Sequence, residues 1–241
     1  MLADDSDSVA VTPRTAVVTG GASGIGKATC ELLAADGYLV AVFDGDEIGA
    51  RGVADAIGGF AFALDVTDER AVVATFERAV NALGGRLDAL ATPASVGDAT
   101  PFMDLDAATF SRLYHINTIG TFLCIREAAK HMRPGGRICT VASVAGKHGG
   151  GAAGTAAYAA SKGAVLTLTR SAARELAVKG IAVNAVAPGP VLTPMLAGSP
   201  TLVERLAEPL AIAEAIAWLL SPAASYVNGE TLTVDGGMRL D

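Results

Sequence analysis

The chain has 241 residues, 51% hydrophobic and 18% charged, which suits one well-buried α/β core and excludes a disordered chain. A formal net charge of −7 argues against a nucleic-acid surface or an anionic membrane as main partner, yet permits a phosphate held by backbone N–H groups. The acidic start MLADDSDSVAVTPR lacks the features of a signal peptide and no apolar run approaches the roughly 20 residues of a membrane helix, so a soluble, cytoplasmic protein with flexible residues 1–13 is expected.

Strand patterns fall at 15–19, 38–43, 60–64, 87–91, 137–142, 181–187 and 231–234, and helical periods at 24–35, 47–56, 68–83, 106–133, 157–178 and 211–220. Apolar strands alternating with helices predict βαβ units. The fold class is therefore α/β: a Rossmann-type, doubly wound, mostly parallel seven-stranded sheet with helices on both faces and ligands beyond the carboxyl ends of its strands. No repeat or linker divides residues 1–241, so a single domain is predicted.

The first strand runs into Thr19-Gly20-Gly21-Ala22-Ser23-Gly24-Ile25-Gly26 and then a helix. Glycine lets the backbone turn tightly and approach a pyrophosphate, and the helix N-terminus offers unpaired N–H groups to phosphate oxygens. The second strand ends at Asp44, where a carboxylate can accept from ribose hydroxyls and repel a 2′-phosphate. Neither Ser23 nor Gly45 is the basic residue that would clamp such a phosphate, so NAD is favoured over NADP. Tyr158 and Lys162, four apart in a helical pattern, share a face. A tyrosine with an ordinary pKa of about 10 becomes a useful base only if neighbouring positive charge, from an ammonium and a nicotinamide, stabilises its phenolate by about 4 kcal/mol. Ser143, after the fifth strand, is placed at the same ligand edge.

Together these residues resemble the short-chain dehydrogenase/reductase family over nearly the whole chain, from Thr15 to Gly237. The resemblance implies a catalytic set of Asn117, Ser143, Tyr158 and Lys162. Tyr158 would be the acid/base, Ser143 the partner of the substrate oxygen, Lys162 the holder of the nicotinamide ribose, and Asn117 the anchor of a water chain. It also implies a cofactor site of Gly20, Ser23, Gly24, Ile25, Gly26, Asp44, Asp65, Val66, Tyr158, Lys162, Pro188, Gly189, Val191 and Thr193, with NAD as cofactor and no metal. The tail Tyr226-Val227-Asn228-Gly229 and Val234-Asp235-Gly236-Gly237 is similar to the family's last strand and oligomer contact, implying a homo-oligomer, dimer or tetramer.

Three features depart from the family pattern. Thr92-Pro93-Ala94-Ser95 stands where Asn-Asn-Ala-Gly is usual, and Pro93 removes a backbone donor beside the cofactor. The Ser143–Tyr158 spacing is about two residues longer, with the excess placed in the glycine-rich loop 148–154. The segment 195–208, read as a substrate lid with a short helical pattern over 201–208 that Pro209 terminates, is short.

Val96, Phe102, Val144, Met195 and Leu196 are candidate walls of an apolar pocket, and His148 could face a substrate. His115 and His131 read as ordinary helix or surface positions, Trp218 as core, and Arg126, Lys130 and Arg133 as a solvated helix face. Cys30, Cys124 and Cys139, far apart, read as reduced core thiols. The expected activity is hydride transfer between NAD(H) and a small-molecule secondary alcohol or ketone. The alternatives are a 3-oxoacyl-thioester reductase, against which Asp44 counts, and a non-catalytic dinucleotide sensor, which has no need of Asn117, Ser143, Tyr158 and Lys162 together.

Overall fold

The computed structural model describes residues 12–150, 155–196 and 206–238. Seven parallel strands form one sheet in the order β3-β2-β1-β4-β5-β6-β7. They are β1 (Arg14–Thr19), β2 (Tyr38–Asp44), β3 (Phe60–Ala63), β4 (Leu87–Thr92), β5 (Met132–Val141), β6 (Ala182–Pro188) and β7 (Thr231–Val234). The order reverses between β1 and β4, so their carboxyl ends part and open the crevice in which a doubly wound sheet holds ligands.

The helices cover both faces. α1 (Gly24–Ala35), α2 (Glu47–Ile57) and α8 (Pro209–Leu220) bury Cys30, Leu33, Val53, Ile212 and Ile216 against one side. α3 (Glu69–Ala82) and α5 (Gly120–His131), with the far end of α7 (Ala156–Leu176), bury Phe76, Val80, Leu123 and Ala173 against the other. The short α6 (Ala145–His148) follows β5. All three cysteines are buried free thiols, as expected, and burial pushes each one up in pKa.

Three expectations change. The helix predicted over 106–133 is two helices, α4 (Ala107–Tyr114) and α5, joined by a π-turn (His115–Ile119). Pro209 does not end a helix but opens α8 at its first turn, where its missing N–H is no loss. Trp218 is not core: it lies 43% exposed on the outer side of α8. Residues 1–11 of the expected flexible arm and 197–205 of the expected lid lie outside the described residues. Among the described residues no helix is long and apolar enough to cross a membrane.

Candidate active site

The helix that opens the crevice begins without a side-chain cap, as α5, α6, α7 and α8 also do. The N-termini of α2, α3 and α4 are each closed by an aspartate, with Asp46, Asp68 and Asp106 accepting from backbone N–H groups. α1 has no side-chain cap, and Ser23 at its N-cap is exposed, so its first-turn donors remain available to an anion. Gly24, at φ +51°, lies under Thr193: a Cβ there would come within 3.1 Å of the threonine methyl. A Cβ on Gly26 would overlap the carbonyl oxygen of Gly20, so α1 packs directly on the turn and only glycine fits. Ile25, between them, is half-buried against the core. Asp44 at the end of β2 accepts from Ala22 N at 3.0 Å and from Asp46 N at 2.9 Å, which fixes its carboxylate beside this turn.

The other expected cofactor residues line the same edge. Asp65 is exposed and accepts from Thr67, while Val66 is buried against Gly120 at the head of α5. The Pro188 carbonyl accepts from Val144 N, and Gly189 N donates to Val234 O, locking the end of β6 between its neighbours. Val191 is buried and pairs with Ala207 in an isolated bridge, and the Thr193 hydroxyl donates to its carbonyl. This uncapped, glycine-floored cradle beside a fixed carboxylate fits a dinucleotide. Among the described residues no cluster suits a metal ion.

Beyond the crevice stand the four expected catalytic side chains. Ser143 follows β5 and is buried, with its Oγ accepting from Ala145 N at 3.1 Å. Tyr158 rises from the first turn of α7. Burial pushes its pKa up, and a hydrogen bond from the Ser143 hydroxyl pulls it part of the way back. Lys162, one turn further, is 1% exposed and donates from Nζ to Val141 O at 2.8 Å, with Nζ lying 5.8 Å from the Tyr158 ring centre. Burial without a carboxylate partner pushes its pKa down to about 7. In the cofactor-free chain desolvation thus acts on both groups and favours the neutral pair.

Asn117 sits in the π-turn, fully buried. Its Oδ1 accepts from Val96 N at 2.9 Å, and its Nδ2 donates to Val96 O at 3.0 Å and to Ser161 Oγ at 2.9 Å. The amide thus binds protein rather than facing open space, and its backbone carbonyl already accepts from Thr121 at 2.8 Å.

The departing segment 92–95 leaves its own mark. The Thr92 hydroxyl at the end of β4 is buried without a partner, while Ala94 N donates to Thr19 Oγ1 at 3.3 Å. Of the pocket candidates, Val144 is buried, Val96 is held by Asn117, and Met195 is half-exposed beside Gly97. Phe102, 75% exposed, is not enclosed with them, and the Leu196 side chain lies outside the described residues. His148 ends α6 on the surface. Lys130 is exposed and Arg126 partly so on α5, where Arg126 pairs with Glu69 and the buried Glu127 and Lys130 with Glu127, while Arg133 is exposed in β5 and not on the helix. Sequence reasoning missed Ser161 and the unpartnered Thr92. For Ser161 a signal existed, since a serine three residues after Tyr158 falls on the same buried helix face.

A family model described as Enoyl-(Acyl carrier protein) reductase matches residues 20–239. The chain is 44% identical over 242 residues to the cis-4-hydroxycyclohexanecarboxylate dehydrogenase of Sinomonas cyclohexanicum, a match covering 93% of this chain and 96% of that protein. It is 38% identical over 247 residues to the cyclopentanol dehydrogenase of a Comamonas strain, covering 94% and 97% respectively. Among solved structures, a short chain dehydrogenase from Burkholderia cenocepacia J2315 in complex with NADP shares 32% identity and a TM-score of 0.87, over 93% of this chain and 97% of that one.

Proposed function

The chain belongs to the short-chain dehydrogenase/reductase family, and on that premise we propose that it interconverts a cyclic secondary alcohol and its ketone with NAD(H) as cofactor. The observation that carries this reading is the constellation of buried Ser143 and Lys162 with half-buried Tyr158 at the edge where the glycine cradle ends. A dinucleotide sensor needs the cradle alone.

NAD, when bound, supplies the acceptor for the hydride that leaves the carbinol carbon. Tyr158 receives the proton from the substrate hydroxyl as that C–H bond breaks, and returns it in the reverse direction. Ser143 would hold the same oxygen by a hydrogen bond; in the cofactor-free chain its hydroxyl bonds to Tyr158 instead and lowers the cost of the phenolate. Lys162 has a buried amine with one protein acceptor, Val141 O, and so retains donors for ribose hydroxyls. Bonds of that kind satisfy the ammonium, raise its pKa again and let its charge favour the phenolate. Gly20, Ser23, Gly24, Ile25 and Gly26 would bind the pyrophosphate, Asp44 the adenosine ribose, and Asp65 with Val66 the adenine. Pro188, Gly189, Val191 and Thr193 would position the nicotinamide.

Asp44 favours NAD because its carboxylate, pinned by two backbone donors, cannot swing away from a 2′-phosphate. The solved NADP complex of a relative makes this the point most in need of test. The apolar walls at Val96 and Val144 suit a hydrocarbon ring, in keeping with the cyclic alcohols in the names of two relatives. The same reading takes the chain as one domain, a cytoplasmic homo-oligomer. Leu210 and Trp218 on α8 and Leu232 on the edge strand β7 offer an exposed apolar face for a second copy. A second reading, reduction of a thioester-borne carbonyl or enoyl group, is favoured by the description of the matching family model.

The test is a reduced-cofactor absorbance screen of cyclopentanol, cyclohexanols with and without a carboxylate, linear secondary alcohols and 3-hydroxyacyl thioesters, each with NAD and NADP. The expected result is highest kcat/KM on a cyclic alcohol, with at least about tenfold preference for NAD, roughly 1.4 kcal/mol. Highest kcat/KM on the thioester would replace the substrate assignment. Equal use of NADP would remove Asp44 from its role.

A further inference from the structure

The break between α4 and α5 is held in a particular way. A π-turn adds a residue to a helical turn and is usually retained where function needs it. Here it turns Asn117 and Thr118 toward α7, and both hydrogen bonds it makes to that helix among the described residues end on Ser161. Asn117 Nδ2 donates to Ser161 Oγ at 2.9 Å, and Thr118 Oγ1 donates to Ser161 O at 3.0 Å. Ser161 Oγ donates onward to Tyr158 O at 2.7 Å. Ser161 is 0% exposed and lies in the chain between Tyr158 and Lys162. On the other side, the Asn117 amide grips both backbone groups of Val96, the pocket wall next to the departing segment 92–95.

We propose that Ser161 is a positioning residue: its hydroxyl joins the substrate wall at Val96, through Asn117, to the backbone of Tyr158 and so sets where the phenol meets the substrate oxygen. The inference rests on the dehydrogenase reading given above. Ser161 touches no reacting atom, but its hydroxyl is both acceptor and donor within one buried chain of bonds, Val96–Asn117–Ser161–Tyr158. In a dry interior such a chain has few alternative arrangements, so it fixes distance across the pocket. Removing its middle member frees the Asn117 amide and loosens the first turn of α7, where small displacements of the phenol are amplified in rate.

The test compares Ser161→Ala with Thr169→Val. Thr169 is also 0% exposed on α7, and its hydroxyl bonds to Thr140 and Val165 O two turns below the site. Both variants lose a buried hydroxyl and are expected to lose similar thermal stability. Only Ser161→Ala is expected to lower kcat on the best alcohol, by about ten- to a hundredfold, with the dissociation constant for NAD within about twofold of wild type. Its Tyr158 phenol, titrated by ultraviolet difference absorbance against Tyr158→Phe, is expected to ionise at higher pH than in wild type or Thr169→Val. That titration needs no substrate. Absence of turnover in the wild type would defeat the dehydrogenase reading, while the titration would still decide the position of Ser161. Should Ser161→Ala not fold, Thr118→Val, which removes the second tie to the same residue, is expected to shift kcat and the titration in the same direction. Overlap of Ser161→Ala, or of Thr118→Val in its place, with Thr169→Val in both kcat and titration overturns the proposal.

Discussion

Replacing Lys162 by methionine should stabilise the cofactor-free protein, and by an amount that depends on pH. The side chain is 1% exposed, and burial brings its pKa from the ordinary 10.5 to about 7. Between those two values the unfolded chain binds more protons than the folded one, so the stability of the wild type rises with pH across that window. Below about pH 7 the whole cost of charging a buried amine is present, about 5 kcal/mol at about 1.36 kcal/mol per pH unit. At about pH 9.5 roughly 1 kcal/mol of it remains. Methionine keeps most of the volume and carries no charge. It gives up the bond from Nζ to Val141 O, a loss of about 1 kcal/mol at any pH. Lys162→Met is therefore expected to exceed the wild type by roughly 4 kcal/mol near pH 6 and to match it near pH 9.5. Urea unfolding of both proteins without cofactor, at one protein concentration and several pH values, measures the difference. A gap that stays constant within about 1 kcal/mol from pH 6 to 9.5 would refute the reasoning, because it would mean that Lys162 remains an ordinary charged lysine in the fold.

Two further expectations concern the crevice. Thr92→Val replaces a buried, unpartnered hydroxyl by a methyl of the same shape and should raise stability by about 1 kcal/mol, and a fall in the unfolding midpoint would show that the hydroxyl has a partner. Gly26→Ala forces a Cβ onto the Gly20 carbonyl and should cost several-fold or more in NAD affinity by calorimetry, with unchanged affinity contradicting the packed turn.

Much of this arrangement was legible in the residues themselves. The alternation of strand and helix patterns located six of the seven strands to within a residue at either end, most of them continuously apolar because they are buried on both faces, while β5 begins at Met132, five residues before the expected 137. The glycine turn and Asp44 declared their positions through backbone requirements that few other residues meet. What stayed hidden depends on tertiary context. The run 106–133 keeps a helical period throughout, and the slip at His115–Ile119 shows only as two polar residues, Asn117 and Thr118, where the pattern asks for apolar ones. α8 is apolar nearly all round, so nothing in its sequence says that Trp218 faces outward. The charge state of Lys162 and Tyr158 was hidden for a different reason: spacing brings the two side chains together, but burial, which disfavours charge on both, is set by the fold.

The central claim is that Tyr158 carries the proton of an NAD-linked alcohol oxidation. It is tested most directly by measuring kcat on the best cyclic alcohol and the dissociation constant for NAD side by side in the wild type and Tyr158→Phe. The account expects kcat to fall by about 10²- to 10⁴-fold, with NAD binding changed by less than about threefold, since phenylalanine keeps the ring and leaves the rest of the cofactor site intact. A variant that keeps most of its kcat would contradict it, because the proton would then be handled by another group.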